Sequence, residues 1–502
     1  MTRTYDAVIV GSGINSLAAG ALLAREGWGV CVLERNDWLG GAIRTAEITE
    51  PGYLHEVFSS WHPLWVGGAA HARLAGDLAA RDVEYLNTEL PTGTLFPDGE
   101  AAFLLHSADA NAAELDRLEP GDGVSWRRTL DEFFPNADLA FGVLGTELWS
   151  GAGARLAARA YRRLGRNGLL EFGGAILQTA RGWLTETFSS ERAHGLIAPW
   201  VLHTGLGPDD TASGYMARVI AVAIQEGGMP VPRGGGIRLV EALAGVIHDA
   251  GGVLETGRDV DEVLTLQGRA TGVRTDDGEI VEARRAVLAN VTPNQLYGRL
   301  LPRTDTRTAE AAARFRYGRC DMQIHYALSE PPRWDGDERL GGTALVHLTP
   351  GLDGVSRAVN EATRGLLPAE ATIVVGQPLT MDPSRAPEGA GLLWIQLQEL
   401  PWVVRGDAAG ELETSGEWTE ALREAYADRI QARISRHIPN LESSIRKRVV
   451  LSPADLSAAN INLTDGDPYA GALQLDQNFL WRPFPGRPGH RTTVDGLWHI
   501  GA

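Results

Sequence analysis

The residues best placed to do chemistry lie near the start of the chain. Gly11-Ser12-Gly13-Ile14-Asn15-Ser16 joins a short β-prone run, Ala7-Val8-Ile9-Val10, to an alanine- and leucine-rich helical stretch. A dinucleotide pyrophosphate needs bare backbone and a helix N-terminus at such a junction. Gly11 permits the tight turn, Gly13 lets phosphate approach, and Ile14, Asn15 and Ser16 open the helix. Ser16 stands where the fingerprint has its third glycine, so the helix must pack on the strand over a small side chain. Glu34 ends the next apolar run 18 residues later, the place from which a carboxylate accepts hydrogen bonds from a ribose diol, and Arg35 follows it. Asp37-Trp38-Leu39-Gly40-Gly41-Ala42-Ile43-Arg44-Thr45 then adds a glycine pair beside which a pyrophosphate could pass, with Arg44 to offset its charge.

Other side chains carry chemistry less directly. His203 lies between apolar Val201-Leu202 and Gly205-Leu206-Gly207 and reads as a general base, a substrate donor or a structural histidine. Trp394, Gln396 and Gln398 alternate along one strand-like run, so one face of it could line a cavity. His55, Trp61, His62 and Trp65 form an aromatic group in sequence that could wall a cofactor or pack as core. His203, Trp61 and Gln396 are thus the weak catalytic candidates. No serine–histidine–acid or paired-carboxylate spacing stands out. Hydride transfer to a bound dinucleotide cofactor needs neither, because the protein's share is orientation and exclusion of water.

These residues need a βαβ unit to position them. Leu17 to Glu26 reads as the helix and Val30-Cys31-Val32-Leu33 as the second buried strand. Residues 80–225 mix turns with helical patterns, notably Gly153 to Leu164 and Glu191 to Gln225, as an inserted domain would. The α/β pattern returns with a helix over Arg238 to Ala250 and strands over 253–256, 260–266, 270–275, 280–283 and 286–289. Strand-like runs at 322–327, 371–376 and 392–397 precede a long helix from Glu417 to His437, and a last strand spans 496–500. Pro232-Arg233-Gly234-Gly235-Gly236 precedes a helix without following a strand, so one dinucleotide is expected, with flavin the better candidate.

Composition excludes much else. Sixty-four acidic residues against 46 basic ones give the 502-residue chain a charge of −18, which repels nucleic acid. Two isolated cysteines, Cys31 and Cys320, provide no disulfide framework and no metal or iron–sulfur set. No apolar run reaches the ~18–20 residues of a membrane span, and Met1 to Asp6 leads into too short an apolar run for a secretory signal. The expected address is cytoplasmic. Arg155, Arg159, Arg162 and Arg166 recur at helical spacing, a basic face that could rest peripherally on an anionic membrane or simply be solvated.

The N-terminal segment, Pro230 to Ile237 with its helix, Gly252 to Asn290, and Asp495-Gly496-Leu497-Trp498-His499-Ile500-Gly501-Ala502 resemble, in order, the phytoene desaturase-like family of FAD-dependent oxidoreductases. Its wider fold is shared with monoamine oxidases and Rab GDP-dissociation inhibitors. The resemblance implies an α/β fold in which a Rossmann-type FAD-binding domain of the glutathione-reductase kind (1–75, 226–300, 445–502) interleaves with an α+β substrate domain (76–225, 301–444). The implied cofactor contacts are Gly11, Gly13, Ile14, Asn15, Ser16, Glu34, Arg35, Gly40, Gly41, Arg44, Ser60, Val260 and Gly501. Val260 would meet the adenine through its backbone. Ser59-Ser60-Trp61 and Gly234-Gly235-Gly236 would lie near the flavin ring. In the family the final strand runs on into a proline- and glycine-rich turn and a helix, so a chain stopping at Ala502 is expected to continue in its natural form.

The expected function is removal of hydride from a C–H bond of a largely apolar substrate, with oxygen or a quinone as electron acceptor and a homodimer left open. The alternatives are a flavin amine oxidase, a carotenoid isomerase or saturase, and a non-catalytic prenyl- or lipid-binding protein of the same fold.

Overall fold

The computed structural model describes residues 3–301 and 303–501; Ala502 lies outside them. Strand β1 (Arg3–Val10) is solvated at its start and fully buried over Ala7 to Val10, as a central parallel strand requires. It turns into helix α1 (Ile14–Arg25) and returns as β2 (Val30–Leu33), every residue of which is buried. α1 packs on the helix Ile237–Asp249, with Leu17 and Ala21 joining Leu239, Leu243 and Val246 in one core. Gly20 makes that approach feasible: a Cβ there would stand 2.9 Å from Ile247 Cδ1.

Five strands of the first sheet run parallel, in the order Val253–Glu255, β2, β1, Ile280–Ala289 and Leu497–His499. Val260–Leu266 and Arg269–Thr275 extend it antiparallel. Strand order reverses beside β1, and ligands of open α/β sheets bind in the crevice at that switch point. Residues 280–289 form one strand where the charged pair Arg284-Arg285 reads as a break. The two arginines bulge opposite Asp6, since the register steps from Tyr5↔Ala283 to Ala7↔Ala286. Arg284 Nε donates to Asp6 Oδ1 (3.1 Å), and Arg285 lies over Trp28.

The second sheet has the order Ile445–Leu451, Cys320–Leu328, Gly391–Leu400, Ile373–Gly376, Leu345–Leu348, Thr92–Leu95, Ala101–Leu104. The chain therefore crosses back to the first sheet after Leu451 rather than at 445. One face is covered by the helix Glu420–Ser435, whose Leu422, Tyr426, Ile430 and Ile434 pack on Ile324, Tyr326 and Ile395. The other faces the helices Ala180–Thr187, Glu191–Ile197 and Ser213–Gly227 through Leu345, Val374 and Trp394. The helical pattern over 191–225 is thus several helices, broken by Pro199 and by the turn before Ser213.

Candidate functional site

At the end of β1, Gly11 takes φ +83° and α1 begins at Gly13, which offers no side-chain cap. The amides of the first helical turn are left for an anionic ligand. Glu34, at the end of β2 and buried, accepts from the Ser12 amide (2.8 Å), the Ser12 hydroxyl (2.7 Å) and the Asn36 amide (2.9 Å). Ser12 Oγ also accepts from the Gly40 amide at 3.1 Å. The glycine turn, the ribose-side carboxylate and the second glycine pair are one bonded unit.

Only hydrogen fits at the Cα positions of this crossing. A Cβ on Gly13 would lie 2.8 Å from Asn290 Nδ2, one on Gly41 3.0 Å from Gly13 Cα, and one on Gly501 2.8 Å from Asn290 Oδ1. Asn15 Nδ2 donates to the Ile500 carbonyl (3.1 Å), so Gly501 meets the opening of α1. Arg44 stacks on Trp38, 4.0 Å from the ring centroid, and Trp38 Nε1 bonds the Gly41 carbonyl. Arg35 faces Asp259 at 3.6 Å, and the neighbouring Val260 carbonyl accepts from Arg299. Bare backbone, free helix amides, a carboxylate and two arginines fit a dinucleotide.

The cradle continues through residues 42–61. Ser59 N donates to the Ala42 carbonyl (3.1 Å), and Ser60 is buried with its hydroxyl unpartnered among the described residues. Gly236 N donates to Glu56 Oε1 (2.7 Å) and Gly234 N to Asp382 Oδ2 (2.7 Å). Arg385 joins both acids at 3.1 Å, and all three side chains are buried. Burial pushes the Glu56 carboxyl upward in pKa against the pull of Arg385. Sequence reasoning missed this triad, because its members lie 329 residues apart without a motif. The strand before Gly234 does exist: Val231–Pro232 pairs with Tyr85–Leu86. It lies outside the parallel sheet and makes no second nucleotide crevice.

The helix-facing side of the second sheet is polar. Registers place Gln323, Gln396, Val374, His347 and Thr94 in one row across five strands. Asp321 and Gln398 stand on one side of this row, His325, Trp394 and Gly376 on the other. Trp61 lies edge-on to Trp394 at 5.3 Å, over Gly376. His203 Nε2 lies 3.1 Å from His347 Nε2 and its ring stacks on Trp200; burial draws its pKa down to about 3. The aromatic group around Trp61 divides: His55 faces His325, whereas His62 and Trp65 stay joined through Tyr85 and His71. Asp321 Oδ1, Gln323 Oε1 and Gln398 Oε1 are buried without a partner among the described residues. Each such atom, if left dry, costs about 1–3 kcal/mol, large beside a net stability of about 5–15 kcal/mol.

Gln396 keeps accessible surface although hydrogen-bonded strands flank it. Gln323 Nε2 donates to the Phe58 carbonyl (2.9 Å), tying this face to the 58–61 segment.

The flavin containing amine oxidoreductase profile matches residues 17–445. The chain is 26% identical over 536 residues to pyridine nucleotide-disulfide oxidoreductase domain-containing protein 2 of Mus musculus, covering 99% of this chain and 90% of that protein. It is 24% identical to a neurosporene-forming phytoene desaturase of Cereibacter sphaeroides, covering 89% and 81%. An oxidoreductase structure from Methanosarcina mazei matches with a TM-score of 0.63 at 16% identity over 99% of this chain and 94% of that one. Putrescine oxidase bound to putrescine matches at 0.60 and 16%, over 99% and 93%. These structures share the fold. A non-catalytic lipid carrier has no use for the cradle around Gly13, and that expectation falls. With the profile spanning most of the sequence, the chain belongs to the flavin-containing amine oxidoreductase family and is an FAD-dependent oxidoreductase.

Proposed function

We propose that this enzyme is a phytoene desaturase-like dehydrogenase or desaturase that removes hydride from a C–H bond of a substrate lying between the 58–61 segment and the polar face of the second sheet. The observation that carries this reading is the double attachment of that segment: Ser59 bonds the cradle side at Ala42, and Phe58 accepts from Gln323 on the sheet. Gly11, Gly13, the first turn of α1, Glu34, Gly40, Gly41, Arg44 and Gly501 would hold the cofactor. FAD, when bound, supplies the hydride acceptor, and oxygen or a quinone takes the electrons onward. Trp61 and Trp394 wall the apolar part of the substrate and keep water out. His203, held neutral against His347, orients ligand instead of titrating.

Anaerobic addition of polyenes, cyclic alkanes and amines to the purified holoprotein tests this. Bleaching of the flavin bands by one class supports hydride transfer; no bleaching by any of them counts against it. The Trp61–Trp394 pair favours amine oxidation as the second reading, because aromatic faces attract an amine nitrogen.

We also propose peripheral docking on anionic lipid through the region around the helix Gly151–Leu177. Trp149 and Leu170 are each 66% exposed there, with Tyr161 and Leu177 also exposed. Gly165 (φ 66°, ψ −173°) interrupts the helix, so Arg166 leaves the row expected for four arginines. Arg159 shares Asp138 with Arg163, whereas Arg155, Arg162 and Arg166 carry no ion pair among the described residues. Exposed aromatics beside unpaired arginines suit a lipid interface. No helix of the described residues is long and apolar enough to cross a membrane. Sedimentation with anionic liposomes should fall when Arg155, Arg162 and Arg166 become Glu; equal binding would contradict docking.

A further inference from the structure

We propose that a basic cleft between the helix Thr306–Ala313 and the hairpin of Pro483–Phe484 with Arg487–Pro488 is a binding site for a small phosphate monoester, separate from the dinucleotide cradle. The cleft encloses about 390 Å³, within the size of small-ligand sites. None of the residues assigned to the cradle lines it, and the inference does not depend on the substrate proposed above.

The charge of the cleft runs against that of the whole molecule. Four arginines, Arg307, Arg314, Arg316 and Arg487, line it with a single acid, Asp476, in a protein of net charge −18. Arg307, Ala311 and Arg314 recur at i, i+4 and i+7, so one helix face turns toward the hairpin. Two of the arginines are anchored: Arg316 Nη2 donates to Asp476 Oδ2 (2.8 Å) and Arg487 Nη2 to Asp305 Oδ2 (3.2 Å). Arg307 and Arg314 carry no ion pair among the described residues. Two unspent guanidinium groups facing one cavity match a dianion, whereas a carboxylate would neutralise only one of them. Like charges gathered in a cleft also focus their field on an incoming anion.

The walls are held in place without a ligand. Asp305 caps the helix, accepting from the Thr308 amide (3.0 Å) and hydroxyl (2.7 Å), and the same carboxylate takes Arg487 from the hairpin. At the other end Gln477 accepts from the Arg316 amide (3.0 Å) and donates to the Arg316 carbonyl (2.8 Å). The Arg307 guanidinium reaches across to the hairpin turn, where a Cβ on Gly486 would stand 2.7 Å from its Nη2. Phe315 and Phe484, 6.0 Å apart between ring centroids, are buried beneath, and Ala311 and Pro485 complete an apolar lining. Such a lining suits the carbon part of an ester, and walls fixed beforehand reduce the ordering cost of binding.

Isothermal calorimetry at low salt on the holoprotein, whose cradle FAD fills, tests the site with phenyl phosphate, inorganic phosphate, benzoate and phenol. Phenyl phosphate should bind one to one and about tenfold or more tighter than benzoate, with inorganic phosphate weaker and phenol silent. Arg307→Gln and Arg314→Gln, both at exposed positions, should each lose about tenfold in phenyl phosphate affinity. Arg364→Gln, at an exposed arginine outside the cleft, should lose none. No binding of phenyl phosphate, a match by inorganic phosphate, benzoate or phenol, or unchanged affinity in both cleft variants overturns the proposal. So does capture of the protein on phosphatidate vesicles without phenyl phosphate binding, which would put the phosphate on a lipid.

Discussion

Ser12 presents both its amide and its hydroxyl to the same oxygen of Glu34, at 2.8 and 2.7 Å. The residue between the two phosphate-turn glycines is thereby locked to the residue that ends β2, and the dinucleotide cradle is set before any ligand arrives. Replacing Glu34 by Ala removes this lock and the carboxylate for the ribose diol. FAD affinity should fall about tenfold or more, the worth of a bond to a charged group, as read by flavin retained through gel filtration. Retention equal to the parent would contradict the role of Glu34.

Gly40→Ala and Gly27→Ala make a matched pair. Both positions have positive φ, +109° and +81°. A Cβ at Gly27 meets nothing within 4 Å, whereas one at Gly40 meets the Ile43 carbonyl and lies 2.7 Å from Val240 Cγ2. Gly27→Ala should cost about 1 kcal/mol of stability from backbone strain and keep FAD. Gly40→Ala should cost more and release FAD, as measured by urea denaturation and flavin absorbance.

Arg385→Leu leaves Glu56 and Asp382 buried without their cation. Loss of one member of a buried ion network costs about 3–5 kcal/mol, so thermal unfolding should show a large drop in Tm. Flavin binding should weaken too, because those acids hold the amides of Gly234 and Gly236.

Acid should unfold the protein through its buried histidines. Burial draws His55, His62 and His499 down to about 4 and His203 to about 3, with His325 and His347 also well below the ordinary value. These groups stay neutral in the folded state while the unfolded chain takes up protons below about 6.5. Stability is therefore full above about pH 6.5 and falls toward pH 4, by up to ~1.4 kcal/mol per pH unit for each histidine. Asp321, raised to about 8 by burial, Glu399, raised to about 7, and Glu56, Asp465 and Asp467, which burial also raises, act in the opposite sense, and the six histidines outnumber these five. Urea midpoints at pH 7 and pH 5 should differ accordingly.

Much of the first sheet was legible because local rules suffice there. The strands Val30–Leu33 and Val260–Leu266 lie where the apolar runs place them, and the Gly11–Gly13 turn sits where the fingerprint requires. The second sheet misleads for a physical reason. Asp321, Gln323 and His325 alternate with Met322, Ile324 and Tyr326, the pattern of a strand with one wet face. Here both faces are buried, and only the fold reveals that the polar one turns inward. The Glu56–Asp382–Arg385 network joins distant segments and leaves no local trace. The aromatic residues around Trp61 are close in sequence, but the backbone divides them: Trp61 meets Trp394, His55 meets His325, and His62 and Trp65 join through Tyr85 and His71.

Absorbance of the purified protein during anaerobic titration reads flavin binding and hydride transfer in one experiment. The proposed role as a flavin-dependent dehydrogenase requires flavin bands in the isolated protein and their bleaching by a substrate bearing an oxidisable C–H bond. A colourless protein that takes up no added FAD would contradict it.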